Sequence, residues 1–183
     1  MNKRMKYIVL SMAVLLTFGM TGCGVSHKSP KGVVKSLIES YADGKEKKVK
    51  DCYGAKKDTD KNLQKQIDAT IKYFEAHNPK EVEIQECDVL SENKNTSYVY
   101  IIYHMVLENK QEYPCISTYM VQKEDKKYYV LPPAKITDEM SKTAASEYAK
   151  FMTTDAYKTY TKNYETFIKK NPGYEEKIAG KLS

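Results

Sequence analysis

The 183-residue chain has no tryptophan, and its single arginine is Arg4. It lacks G-x-S-x-G, the phosphate-binding loop, H-E-x-x-H and C-x-x-C. Those absences remove the motif-bearing serine hydrolases, loop-type nucleotide hydrolases, zinc peptidases and dithiol oxidoreductases from the reading. Asp58-Thr59-Asp60-Lys61-Asn62 starts like a calcium loop but fails at once. Leu63 stands where a glycine is required, and Ala69 where a bidentate glutamate is required, so the segment reads as a helix start. No pattern calls for a metal or a cofactor. No acid precedes Glu39, and Lys3, Arg4 and Lys6 carry much of the formal charge of +6. Without those three residues the 30 basic side chains fall to 27 against 24 acids. A near-neutral remainder with no guanidinium argues against a nucleic-acid partner. There is no internal repeat and no low-complexity linker.

What is present begins with an address. Lys3, Arg4 and Lys6 precede a largely apolar run from Tyr7 to Met20. Fourteen residues are too few to cross a ~30 Å hydrocarbon core, which needs about 20, but they suit the apolar region of a secretory signal. The run ends in Met20-Thr21-Gly22-Cys23. Small residues before a cysteine resemble a bacterial lipobox, with Met20 where leucine is usual and Thr21 where alanine or serine is usual. The resemblance implies cleavage before Cys23, a diacylglyceryl group on its thiol, and a protein held on the extracytoplasmic face of the cell membrane. Two acyl chains anchor stably where one is marginal. The excess of lysine over arginine suits a low-GC Gram-positive source. Residues 1–22 are thus expected to be signal peptide and 23–28 a short polar tether.

The remaining chain is punctuated clearly. Ser29-Pro30 offers an N-cap and N1 pair, and Val34, Leu37, Ile38 and Tyr41 follow at one-face helical spacing. Asp43-Gly44 closes that helix. A second covers about Glu46–Tyr53, stopped by Gly54. A third, capped by Asp58 or Thr59, carries Leu63, Ile67, Ile71 and Phe74 and ends at Asn78-Pro79. The period then changes to two, and Glu81–Leu90, Ser97–Leu107, Pro114–Gln122 and Lys127–Leu131 read as strands joined by short polar loops. The second is apolar on both faces, which predicts a central strand covered on both sides. After Pro132-Pro133 helical spacing returns over Asp138–Met152, from Thr154 through Ile168, and from Asn171 onward. These helices are either a second layer on the sheet or a separate appendage; residues 134–183 are treated as a C-terminal helical extension.

Three helices followed by an antiparallel meander make an α+β domain. On Ser29-Pro30-x-x-Val33-Val34-x-x-Leu37-Ile38-x-x-Tyr41-x-Asp43-Gly44, on Asp51-Cys52-Tyr53, and on the closing Lys126-Lys127-Tyr128-Tyr129-Val130-Leu131-Pro132, residues 29–133 resemble the NTF2-like, cystatin-like superfamily. The chain leaves no room at residues 54–58 for the early hairpin many members carry. The resemblance implies a curved sheet wrapped on a helix into a cone that holds a ligand or an enzyme site, or is plugged by side chains. It transfers no function.

Few residues carry chemistry. His27 lies in the tether and His77 at a helix end, where charge suits the dipole. His104 is the one histidine within the sheet, and Glu86 or Asp88 on the neighbouring strand is its expected carboxylate partner if it works as an acid–base pair. Otherwise it is structural. Cys87 and Cys115 fall on strands separated by another strand, ~9.5 Å apart and beyond disulfide reach, so any bridge uses Cys52; the alternative is three buried thiols. Tyr98, Tyr100, Tyr119 and Tyr129 offer rings with polar tips that suit a binding surface. Tyr157, Tyr160 and Tyr164 share a helical stripe that suits packing. The leading expectation is a non-enzymatic, lipid-anchored envelope module that binds a protein, peptide or small apolar ligand. The second is an NTF2-like isomerase or dehydratase using His104 and a carboxylate, and the third an accessory protein with a plugged cone.

Overall fold

The computed structural model describes residues 24–55 and 59–183. The signal segment, Cys23 and Asp58 lie outside the described residues. Among the described residues six α-helices and four strands run in the order α1 Pro30–Ala42, α2 Glu46–Cys52, α3 Lys61–His77, β1 Glu81–Glu92, β2 Thr96–Val106, β3 Glu112–Glu124, β4 Lys127–Val130, α4 Asp138–Phe151, α5 Asp155–Lys170 and α6 Tyr174–Leu182. A 3-10 turn, Pro133–Lys135, precedes α4.

The helix ends follow from local chemistry. Ser29 Oγ accepts from the Gly32 amide, and Pro30 occupies the first turn, where its missing N–H is not needed. At α3 the capping oxygen belongs to Asp60, whose carboxylate accepts from the Asn62 and Leu63 amides, and not to Thr59. Asn78 closes α3 with φ 51°, a left-handed conformation that asparagine tolerates. Thr137 and Thr154 cap α4 and α5 through their hydroxyls.

The strands form one antiparallel sheet in the order β1-β2-β3-β4. β1 runs two residues beyond its expected end, and β3 begins at Glu112, two residues before the expected start at Pro114. A proline inside a strand argues for an edge. β4 pairs only with Val121–Glu124, so Pro114 sits where β3 has a partner, β2, on one side alone.

Period-two alternation divides the sheet into two faces. On the inner face Val99, Ile101, Tyr103 and Met105 join Val33, Leu37, Ile38, Tyr41, Ile67 and Phe74 from α1 and α3 in the main core. On the outer face Tyr98 packs with Met120 and Leu131 beneath Met140, Ala144 and Tyr148 of α4. Tyr100 and Ile102 pack with Phe151, Tyr157 and Tyr160. Hence β2 is buried along almost its whole length. The α5 stripe serves both faces: Tyr157 and Tyr160 lie on the outer cluster, while Tyr164, Phe167 and Ile168 reach the main core.

That crossing is latched at His77. The ring is 6% exposed, Nδ1 is hydrogen-bonded to Tyr174 Oη at 2.8 Å, and Tyr73 and Tyr113 lie against it with centroids at 4.5 and 4.6 Å. Glu175 accepts from the Tyr113 and Tyr164 hydroxyls, and Lys181 Nζ donates to the Ala76 carbonyl. Nε2 is buried without a partner. Burial pushes the imidazole down to about 4, Glu175 opposing and Lys181 assisting. His77 is therefore a neutral packing residue, not the charged dipole partner expected from its place at a helix end. An unfolded histidine titrates near 6.5. The stabilisation from a neutral His77 is complete above that pH and is lost as pH falls toward 4. Melting temperature measured across this window should fall on acidification, and His77→Phe should flatten the slope. An equal slope in the variant would rule out His77 as its source.

The residues expected to form a tether are docked. Val25 packs on the main core, and the Ser26 amide donates to Ser36 Oγ. The Tyr128 amide donates to the His27 carbonyl at 3.1 Å, and His27 Nδ1–H donates back to the Tyr128 carbonyl at 2.8 Å. His27 Nε2 lies 3.4 Å from the Asp51 carboxylate. The His27 ring packs on Tyr129, and Tyr129 in turn closes on Gly54, where a Cβ would stand 3.2 Å from its ring. This segment covers the exposed edge of β4.

Candidate functional site: a cleft on the outer face of the sheet

The inner side of the sheet is filled. Val33, Val34, Leu37, Ile67, Val99, Ile101, Met105 and Val121 have no exposed surface. The outer face is covered less completely, because α4 and α5 cross it as two separate helices. An open cleft of about 380 Å³ lies between the β1–β2 ladder and α5. Gln85, Glu86, Ile102 and His104 line its floor, and Asp155, Ala156, Thr159, Tyr160 and Asn163 its wall. A second, about 280 Å³, lies under α4 beside Tyr98, Thr118 and Tyr148.

His104 is positioned by register. It faces Pro114, and Val106 faces Glu112, so the two side chains meet diagonally on the outer face. Nδ1–H donates to Glu112 Oε2 at 2.8 Å. This hydrogen bond orients the ring, which lines the cleft. Glu86 shares the cleft but accepts a hydrogen bond from the Tyr100 hydroxyl. Burial, with Glu86 adding to it, raises the Tyr100 pKa, so Tyr100 stays a donor. Asp88 is turned away. Its carboxylate accepts from the Val89 amide and, at 3.2 Å, from Lys31 Nζ, and the first contact, helped by the second, holds it below the usual carboxylate range. The structure thus brings His104 and Glu86 into one cleft, gives His104 a different carboxylate as its partner, and leaves Asp88 at the β1 edge.

The four tyrosines proposed as a binding surface are divided. Tyr98 and Tyr100 lie beneath α4 and α5. Tyr119 packs against the main core from the inner face, and Tyr129 holds the docked tether. Cys52, Cys87 and Cys115 are free thiols. Burial pushes Cys52 up to about 12 and Cys87 up to about 11, and raises Cys115 as well, so none is a ready thiolate. No group of three or more histidine, cysteine or acidic side chains that could hold a metal occurs among the described residues.

Glu112 is not legible as a partner of His104 in a strand expected to begin at Pro114; only the strand longer by two residues places it diagonal to His104. The α5 wall was not legible, since nothing in the helical spacing says which face of the sheet a later helix covers.

No protein-family model matches the chain, and no curated protein does. Two solved structures are similar to part of it. One is a Campylobacter jejuni protein described as an NTF2-like transpeptidase, at 18% identity and a TM-score of 0.40 over 57% of this chain and 98% of that one. The other is a SEC-C motif containing protein from Rhodopseudomonas palustris, at 15% identity and 0.41 over 57% of this chain and 77% of that one.

Proposed function

We propose that the protein is a lipid-anchored, NTF2-like envelope module that binds a peptide or protein segment in the outer-face cleft and catalyses no reaction. Cys23 carries the anchor, and the sorting information is the charged and apolar leader that precedes it. The observation that supports binding on this face is the contrast between the two sides of the sheet: the inner side is plugged by fully buried side chains, while the outer side keeps an open cleft. Its lining includes Glu86 and Asp155 and no lysine, with Lys158 Nζ 3.8 Å from the Asp155 carboxylate outside that lining. That balance suits a segment that brings a cationic side chain, with Tyr160 offering an aromatic wall.

The acid–base reading keeps one observation in its favour. His104 and Glu112 make a hydrogen-bonded pair beside an open cleft, the arrangement a general base requires. Its carboxylate is then Glu112, in place of Glu86 or Asp88.

The binding reading is tested with short lysine-containing peptides while the His104 imidazole is followed by NMR. The expected result is a saturable shift of the His104 signals, abolished in Asp155→Lys. Peptides that leave His104 unmoved, or that shift it equally in Asp155→Lys, would refute the assignment. Labelling with a clickable fatty acid tests the anchor: wild type should incorporate it and Cys23→Ala should not.

A further inference from the structure

We infer that the docked tether fixes the domain's orientation at the membrane, with its β3–β4 end against an anionic bilayer and the His104 cleft held outward. The inference rests on the reading of Cys23 as the lipid anchor. A flexible leash would let the domain tumble, but this one is clamped at His27. Its carbonyl and Nδ1 pair with Tyr128, and its Nε2 faces Asp51 of α2. Four residues of fully extended chain from Cys23 to His27 reach at most about 14 Å. The strand edge that holds His27 must therefore lie close to the headgroups.

Register gives the distance to the cleft. His27 is bonded to Tyr128, which pairs with Lys123 near the end of β3. His104 pairs with Pro114 near the start of the same strand. Nine residues of strand separate them, roughly 30 Å at ~3.3 Å per residue. The two ends also differ in charge. Lys28, Lys123, Lys126 and Lys127 stand at the clamped end against Asp51, Glu124 and Asp125, while Glu83, Glu86, Glu112 and Asp155 gather at the cleft with Lys158 3.8 Å from Asp155. An anionic surface attracts the first end and repels the second.

Because the chain has no tryptophan, single probes report without background. Lys126→Trp marks the β3–β4 turn and Asn109→Trp the β2–β3 turn. Each is introduced into the full chain, expressed in a host that acylates lipoproteins, and reconstituted in vesicles of phosphatidylglycerol and brominated phosphatidylcholine. The Lys126→Trp probe should lose most of its emission to the bromine quencher, and the Asn109→Trp probe should keep it. His27→Gly, which removes the clamp, should shrink the difference between the two. Replacing phosphatidylglycerol with phosphatidylcholine should weaken quenching at Lys126→Trp without equalising the probes. Equal quenching of both probes in acylated protein overturns the orientation alone. Mass spectrometry that finds Cys23 unmodified in that preparation overturns the anchoring reading, and the orientation with it.

Discussion

A chain ending at Thr137 should aggregate or melt far below the full-length protein. The truncation removes α4, α5 and α6, and with them the cover of Tyr98, Tyr100, Ile102, Met120 and Leu131. Re-exposing one large apolar side chain costs about 1.5–3 kcal/mol. Five such losses rival the 5–15 kcal/mol that keeps a whole domain folded. The cut also strips Phe167 and Tyr174 from the main core and opens the His77 latch. The measurement is thermal melting with light scattering. An unchanged melting temperature would mean that the helices are an independent appendage, and the outer cleft would lose its wall.

Ile101→Ala should destabilise the protein by about 2–5 kcal/mol, the usual cost of a cavity at a fully enclosed site. Ile101 has no exposed surface, sits at the centre of β2 and faces the α1–α3 layer. In a chain of this size the melting temperature should drop by roughly 2–4 °C for each kcal/mol lost. A loss under ~0.5 kcal/mol is what a surface substitution gives, and it would place Ile101 outside the core.

Much of this fold was readable from residue spacing, for identifiable reasons. Leu37 and Ile38, Ile67 and Phe74, and the alternation from Val99 to Met105 are strong periodic signals, and Asp43-Gly44 and Asn78 are strong stops. The two-sided apolar character of β2 implied cover on both faces without saying what the second cover is. Ile71 fits the helical stripe yet is only partly buried, because it packs at the margin of the core. Residues whose role depends on distant partners were not readable. His77 owes its neutrality to Tyr113 and Tyr174, which lie far along the chain. Glu112 became the partner of His104 only through the full register of β3. The tether looked polar and free because its bonds to Tyr128 run from backbone to backbone and from ring to carbonyl, which no side-chain pattern encodes. His104 is legible as the sheet histidine, whereas its carboxylate partner is not, because the bulges of β1 between Ile84 and Glu86 and between Val89 and Ser91 disturb strand adjacency.

Partner binding between the sheet and α5, as proposed above, is open to direct measurement. The most direct measurement is photocrosslinking in the native cell envelope with a photoreactive residue at Asn163, in the cleft wall, and at Lys142, on the exposed side of α4. The expected result is one discrete adduct from Asn163 that disappears with Asp155→Lys, and none from Lys142. No adduct from Asn163, or the same adduct from both positions, would contradict it.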